Sequence, residues 1–171
     1  MIFERLAPWA PWAIVAVAMA ALSMALIAQD LYDLEPCILC LYQRLPYIAT
    51  ALLALLALKL PPGSNGIAAI VGLCGVIYLI GSGIAVYHVG VEQHWWVSGC
   101  TGAGVGEMSF DQLRSALTSK AAKACDDIDW TLFGISMAMY NVVFSAGLGL
   151  IAIWAARLIW RNNEPIPTPA R

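Results

Sequence analysis

Charged residues are scarce in this chain of 171 residues, in which Asp, Glu, Lys and Arg together make up only 12%. Hydrophobic residues make up 61%, and the mean hydropathy of +0.75 is outside the range of a soluble domain. The net charge of −2 argues against nucleic acid as a partner. The composition therefore predicts a single integral membrane domain, and it carries no information about a substrate.

Polar connections are also few, and they separate four apolar runs that are long enough to cross a bilayer. A short turn rich in proline and glycine joins the second run to the third, so these two must be antiparallel neighbours. We therefore predict an all-α membrane protein, a four-helix transmembrane bundle, with a proline-rich disordered tail over about 162–171. The predicted spans cover about 11–28, 41–60, 67–87 and 131–159, and the second could begin as early as residue 37.

The first apolar run has a rival interpretation as a signal peptide that is removed after Ala28. A cleavage site needs small residues in a small-x-small pattern. Leu26 and Ile27 precede the possible cut and do not fit that pattern. The sequence therefore favours an uncleaved membrane anchor.

The basic residues closest to the spans predict the orientation of the chain. With four spans, all of these fall on one side of the membrane, which the positive-inside rule makes the cytoplasmic side. Both termini are then cytoplasmic, and the outer loops are residues 29–40 and 88–130. The basic residues in question are Arg5, Lys59, Arg157, Arg161 and Arg171.

The segment from Pro36 to Arg44 is the strongest candidate for chemistry. Its Cys37-x-x-Cys40 spacing puts two sulfurs at the start of a helix, where the N-terminus favours a thiolate. Arg44 follows one turn later on the same face and could hold an anion or a polar oxygen. Pro46 is expected to kink the helix beside it. Read alone, the segment fits a redox site, a zinc half-site or a pair of structural thiols.

The predicted loop 88–130 is the only long connection, and a loop of this length is usually functional. Within it, Ser109-x-x-Gln112 fits a capping box, and apolar residues at helical spacing follow. We predict a short amphipathic helix lying on the membrane surface. The loop also contains His88, Glu92, His94, Trp95, Trp96, Cys100 and Cys125.

Four of the five cysteines fall on the predicted outer side, as expected where disulfides persist. Three pairings are possible, and spacing favours Cys37 with Cys40, which leaves Cys100 with Cys125. Cys74 lies within the third span beside Gly72 and Gly75, so we interpret it as a packing residue.

Taken together, these features resemble the bacterial DsbB-type disulfide bond formation proteins over the whole chain. The resemblance rests on the four spans, on Cys37-Ile38-Leu39-Cys40 with Arg44 behind it, and on the second loop with Cys100 and Cys125. It implies an enzyme of the bacterial inner membrane, a thiol oxidase that re-oxidises a DsbA-like thioredoxin-fold partner in the periplasm. The electrons would pass to a membrane quinone, either ubiquinone or menaquinone.

The resemblance also implies roles for individual residues. Cys100 and Cys125 match the pair that exchanges with the thiol partner, and Cys37 and Cys40 match the pair that faces the quinone. Arg44 matches the quinone-site arginine, and Cys40 would be the thiolate that contacts the quinone. A quinone-site role for His88 is a further expectation, with an interfacial histidine of no catalytic duty as its alternative. The loop from His88 to Trp96 differs in length from the best-known members.

Two rival functions use the same residues. One is another four-span thiol enzyme, resembling vitamin K epoxide reductases or a reductant relay, with a different acceptor or the opposite direction of flux. The other is a non-enzymatic metal-binding or structural membrane protein. Its ligands would be Cys37, Cys40, His88, His94 and Cys100.

Overall fold

The computed structural model describes residues 9–61, 64–96, 98–100, 123–128 and 130–163. Four long helices account for most of them: α1 (Ala10–Leu31), α2 (Ile38–Ala57), α3 (Asn65–Glu92) and α4 (Met137–Asn163). All four are long and apolar enough to cross a membrane. The predicted all-α transmembrane bundle is therefore confirmed, and the chain is a multi-pass membrane protein.

The helices pack around α3, which contacts α2 and α4 extensively, while α1 packs mainly against α2. The core between them is built from small and medium side chains such as Val71, Cys74 and Ala152. Cys74 is fully buried and its thiol donates to the carbonyl of Thr50 at 3.8 Å, which agrees with a packing role. Large apolar residues such as Val143 remain on the outside, as a hydrocarbon environment allows.

Two glycines let α3 and α4 approach each other closely. A Cβ atom on Gly75 would lie 2.9 Å from the carbonyl oxygen of Gly149 and 2.7 Å from Ile153. A Cβ atom on Gly149 would in turn lie 2.9 Å from the carbonyl oxygen of Gly75. Because part of each clash is with backbone, a larger side chain here must push the helices apart.

The third helix runs to Glu92, five residues beyond the predicted end at 87, so His88 and Glu92 lie on a helix and not in a loop. Both are buried, because their polar groups find partners inside the bundle. The helix ends in a Schellman motif: Trp95 donates to the carbonyl of Gly90, and His94 donates to that of Val91. His94 takes the left-handed conformation that the motif requires, with φ 56°.

The fourth helix begins at Met137, later than the predicted start at 131. The residues before it form a small antiparallel hairpin of β1 (Thr131–Leu132) and β2 (Ile135–Ser136). Phe133 and Gly134 both have positive φ and make the two-residue turn. Gly134, which lies within the predicted fourth span, therefore belongs to a turn and not to a helix. Ser136 caps α4 by accepting from the backbone N–H of Met139.

The other predicted boundaries differ from the structure by a few residues. The first helix extends three residues past the predicted end at 28, to Leu31. The second covers Ile38–Ala57 and not 41–60, because Cys37 caps its N-terminus and residues 58–60 form a turn. Pro46 lies inside this helix, as predicted. The fourth helix runs to Asn163, so the first two residues of the predicted tail 162–171 are helical. The rest of that tail and the predicted surface helix after Ser109 lie outside the described residues.

The glycine contact between α3 and α4 leads to a stability prediction. Gly75→Ala should lower the free energy of unfolding by about 1–3 kcal/mol, since the new methyl group meets backbone atoms. Gly147→Ala is the matched control in α4, because a Cβ atom there meets nothing within 4 Å. Thermal unfolding of both variants in the same detergent measures the difference. Equal stability of the two variants would contradict the close approach.

Candidate redox site

The Cys37–Cys40 pair lies at the N-terminal end of α2, as the spacing predicts. Cys37 is the N-cap residue, and its sulfur accepts the backbone N–H of Cys40 at 3.2 Å. The two Sγ atoms are 2.8 Å apart as free thiols. Cys37 is only 4% exposed, whereas Cys40 is half-buried. The pair is therefore a dithiol ready to close, with one sulfur inside the protein and the other towards its surface.

His88 of α3 lies directly beside this pair. Its Nε2 atom is 3.6 Å from the Sγ atom of Cys37, and its Nδ1 atom is 3.0 Å from the side-chain nitrogen of Gln43. The ring is buried, and the backbone of Cys125 also lies close to it. His88 thus belongs to the surroundings of the dithiol, with a protein neighbour at each ring nitrogen.

Cys37 precedes the membrane span, and its surroundings favour the thiolate. The hydrogen bond from the Cys40 thiol is the largest cause, and together with His88 and the backbone N–H of Cys40 it lowers the pKa of Cys37 to about 4. Burial acts in the opposite direction but is outweighed. In the reduced pair the negative charge therefore lies on Cys37, whereas the family resemblance predicts a reactive thiolate at Cys40.

Glu92 lies one turn beyond His88 and completes this polar group. Its Oε1 atom is 3.8 Å from Nε2 of His88, and its Oε2 atom accepts a hydrogen bond from Ser136 at 2.5 Å. His94 is separate from the group: its side chain is 72% exposed and pairs with Asp126 at 3.7 Å. The structure thus brings His88 and Glu92 to the dithiol and leaves His94 outside it.

The second cysteine pair is a disulfide between Cys100 and Cys125. It packs into one small cluster with Cys37 and Cys40, in which Leu39 and Val91 fill the remaining space. Cys125 is fully buried, and its backbone N–H donates to the carbonyl of Cys100 at 2.8 Å. All four predicted site cysteines are therefore neighbours, one pair oxidised and the other reduced.

Arg44, the predicted quinone-site residue, reaches across to the end of α1. Its guanidinium donates to the side-chain oxygen of Gln29 at 3.1 Å and to the carbonyl of Ala25 at 3.5 Å. These contacts fix the side chain one turn into the membrane from Cys40. A guanidinium has five N–H groups, so these two bonds leave donors for a further acceptor.

The metal-binding alternative receives partial geometric support. Ligand atoms of Cys37, Cys40 and His88 lie within 4.8 Å of one another. The other two predicted ligands do not join them, because Cys100 is in a disulfide and His94 is exposed. The predicted five-residue ligand set is therefore not assembled.

Several polar residues of the site were not predicted from the sequence. They could have been identified, since a polar side chain within an apolar span usually faces a partner or a functional site. These residues are Gln43, Tyr47, Ser136, Asn141 and Ser145, of which all but Ser136 lie within a span.

Comparison with known proteins adds an independent observation. The family model described as "Disulfide bond formation protein DsbB" matches residues 7–155. Relatives named "Disulfide bond formation protein B" include one from Methylobacillus flagellatus, 38% identical over 77% of this chain and 82% of that protein. Another, from Xanthomonas campestris, is 37% identical over 77% of this chain and 79% of the relative. No solved structure matches the chain at a significant level.

The position of the thiolate can be tested by pairing two substitutions at Cys40. Cys40→Ala removes the largest cause of the low Cys37 pKa, whereas Cys40→Ser keeps a hydrogen-bond donor there. At about pH 6, Cys37 should react with iodoacetamide about tenfold more slowly in Cys40→Ala than in Cys40→Ser. Mass spectrometry of the quenched reaction gives both rates. Equal rates would show that the Cys40 hydrogen bond does not set the charge on Cys37.

Proposed function

The chain belongs to the DsbB family of disulfide bond formation proteins, and we propose that it re-oxidises a DsbA-like thiol partner at the expense of a membrane quinone. The family makes it a membrane oxidoreductase of disulfide formation. The proposal adds the partner, the acceptor and the residues. It also places the protein in the bacterial inner membrane, with both termini cytoplasmic and the cysteine pairs on the periplasmic side.

The observation that supports the proposal best is the shared cluster of the two cysteine pairs. Thiol–disulfide exchange requires a thiolate to reach a disulfide sulfur directly. The Cys100–Cys125 disulfide packs in the same cluster as the Cys37–Cys40 dithiol, so exchange between the pairs needs only small movements. A merely structural disulfide has no need of a free dithiol beside it.

Re-oxidation of the partner takes place by successive thiol–disulfide exchanges. A thiolate of the reduced partner attacks one sulfur of the Cys100–Cys125 disulfide and forms a mixed disulfide, and the partner's second thiol then resolves it. The partner leaves oxidised, and the loop pair is now a dithiol. This dithiol attacks a Cys37–Cys40 disulfide, which restores Cys100–Cys125 and leaves Cys37 and Cys40 reduced. The described arrangement, with one pair oxidised and one reduced, corresponds to the product of that last step.

The residues around Cys40 fit a quinone. Cys40 is the more accessible sulfur of its pair, and apolar side chains that remain exposed on the same end of α2 provide a surface for a ring and an isoprenoid tail. Arg44 would donate a hydrogen bond to a quinone oxygen, with its guanidinium already held by Gln29. The quinone would accept the two electrons and two protons released when Cys37 and Cys40 close.

A quinone-coupled assay tests the proposal. Purified protein, a reduced DsbA-like partner and a soluble ubiquinone or menaquinone analogue should together give quinol, followed by the change in quinone absorbance. Cys40→Ser should abolish quinol formation but still allow a mixed disulfide between the partner and the loop pair. Cys74→Ala is the matched control and should keep full activity, since Cys74 lies in the core away from both pairs. Absence of quinone reduction by the wild type would refute the proposal.

Substitutions of Arg44 test quinone binding separately from the reaction with the thiol partner. Arg44→Ala should raise the KM for quinone about tenfold or more, because a charged hydrogen-bond donor to the ligand is lost. The KM for the thiol partner should change little. Lysine keeps the charge but not the planar fork, so Arg44→Lys should fall between the two. Equal losses for quinone and partner would count against a quinone-site role.

A further inference from the structure

A continuous line of hydrogen bonds crosses three helices and ends at His88. It begins at the hydroxyls of Tyr47 and Ser145, which donate to Oδ1 of Asn141 at 2.7 and 2.9 Å. Asn141 donates from Nδ2 to Oε1 of Gln43 at 2.9 Å, and Nε2 of Gln43 lies 3.0 Å from Nδ1 of His88. Every link is made by side chains, so the direction of the hydrogen bonds along the line depends on which atoms donate.

The direction of this line is given by the placement of the Asn141 amide. Its oxygen accepts from the hydroxyl pair of Tyr47 and Ser145, whose oxygens are 2.9 Å apart, and its NH₂ group faces the other way and donates to Gln43. The oxygen of Gln43 is occupied by that NH₂ group, which leaves its own NH₂ group facing His88. An NH₂ group has no lone pair to offer, so Nδ1 of His88 must be an acceptor. In the neutral ring, the hydrogen is then on Nε2.

The surroundings of Nε2 suit this assignment. Sγ of Cys37 lies 3.6 Å from it and Oε1 of Glu92 lies 3.8 Å from it, and both become acceptors when ionised. Neither a thiolate nor a carboxylate can donate to the ring. With Cys37 and Glu92 ionised, a hydrogen on Nε2 therefore satisfies both sides of His88.

We propose that Gln43 and Asn141 are positioning residues that hold His88 as an Nε2–H donor to the Cys37 thiolate. The redox meaning of this assignment rests on the proposed function, whereas the tautomer itself does not. An oxidising pair is one whose reduced thiolate is stabilised. By fixing the donor, the two amides make the Cys37–Cys40 pair more oxidising than its cysteines alone would be.

The same assignment disfavours a metal at Cys37, Cys40 and His88. A histidine that binds a metal through one nitrogen usually donates its other N–H to an acceptor. Here the other nitrogen faces an NH₂ group, so Nε2 carries a hydrogen where a metal would need a lone pair. The orientation of the Gln43 and Asn141 amides thus distinguishes this dithiol from a metal site that would use the same two thiols and the same imidazole.

The proposal can be tested with one substitution that reverses the donor–acceptor direction of the hydrogen bonds between residue 141 and His88. Asn141→Asp replaces the NH₂ group of residue 141 with a second acceptor oxygen. Gln43 must then turn its NH₂ group towards residue 141 and its oxygen towards His88. The ring hydrogen should then move to Nδ1. The chain has only two histidines, so ¹⁵N-histidine labelling with His94→Gln for assignment gives the tautomer of His88 by NMR. The wild type should show Nε2–H, and Asn141→Asp should show Nδ1–H.

The redox equilibrium supplies a second measurement. In Asn141→Asp, the equilibrium between the Cys37–Cys40 pair and glutathione should shift about tenfold towards the disulfide, the effect of one charged hydrogen bond. Gln43→Met adds no charge and should shift it in the same direction. Ser82→Ala is the matched control, because Ser82 donates to the carbonyl of Val142 and lies outside the line. It should leave the equilibrium unchanged.

Zinc affinity is a third measurement that distinguishes the two tautomers of His88. Reduced Asn141→Asp should bind zinc at least about tenfold more tightly than the reduced wild type, measured by competition with a chromophoric chelator. A wild-type His88 with its hydrogen on Nδ1, or a redox equilibrium unchanged in both Asn141→Asp and Gln43→Met, would overturn the proposal. If the wild type shows Nε2–H but reduces no quinone, the proposed function fails while this inference stands.

Discussion

The whole site depends on one constraint: within a membrane, a buried polar group must find its partner inside the protein. Gln43, His88 and Asn141 lie on three different helices and satisfy one another there. Glu92 is held in the same way by Ser136. Because these contacts cross the bundle, they also fix how α2, α3 and α4 are rotated against each other. The geometry of the dithiol is thus a consequence of how the helices satisfy their polar residues.

The dithiol itself combines two requirements that are usually in conflict. A thiolate is stabilised by donors, yet exchange requires access. The structure divides these tasks within one pair, since Cys37 is buried among donors while Cys40 is half-buried at the surface of the bundle. The Cys100–Cys125 disulfide approaches from the loop side and shares the same apolar cluster. One short segment of α2 therefore faces a protein disulfide and, in the proposed function, a lipid-soluble acceptor.

The sequence alone was sufficient for the number of spans and for the four cysteines, because both are local patterns. It failed where the deciding contacts are remote. His88 and Glu92 were assigned to a loop because polar residues often end a span, but Gln43 and Ser136 lie 45 and 44 positions away from them. Gly134 was placed within the fourth span, although a positive φ in a hairpin turn is the reason for glycine there. Asn141 and Gln43 are separated by 98 positions, beyond any local pattern.

The two assignments of the reactive thiolate, Cys37 from geometry and Cys40 from the family resemblance, describe different stages. In the reduced pair, the charge lies on the sulfur with more donors, which is Cys37. Once Cys37 is joined to a loop cysteine in an exchange intermediate, it can no longer carry charge. Cys40 is then the free sulfur, at the accessible side of the helix and one turn along α2 from Arg44. The low pKa of Cys37 and a reactive Cys40 are therefore compatible: in the proposed function, the groups around Cys37 would act on the resting dithiol and Arg44 would act on the intermediate.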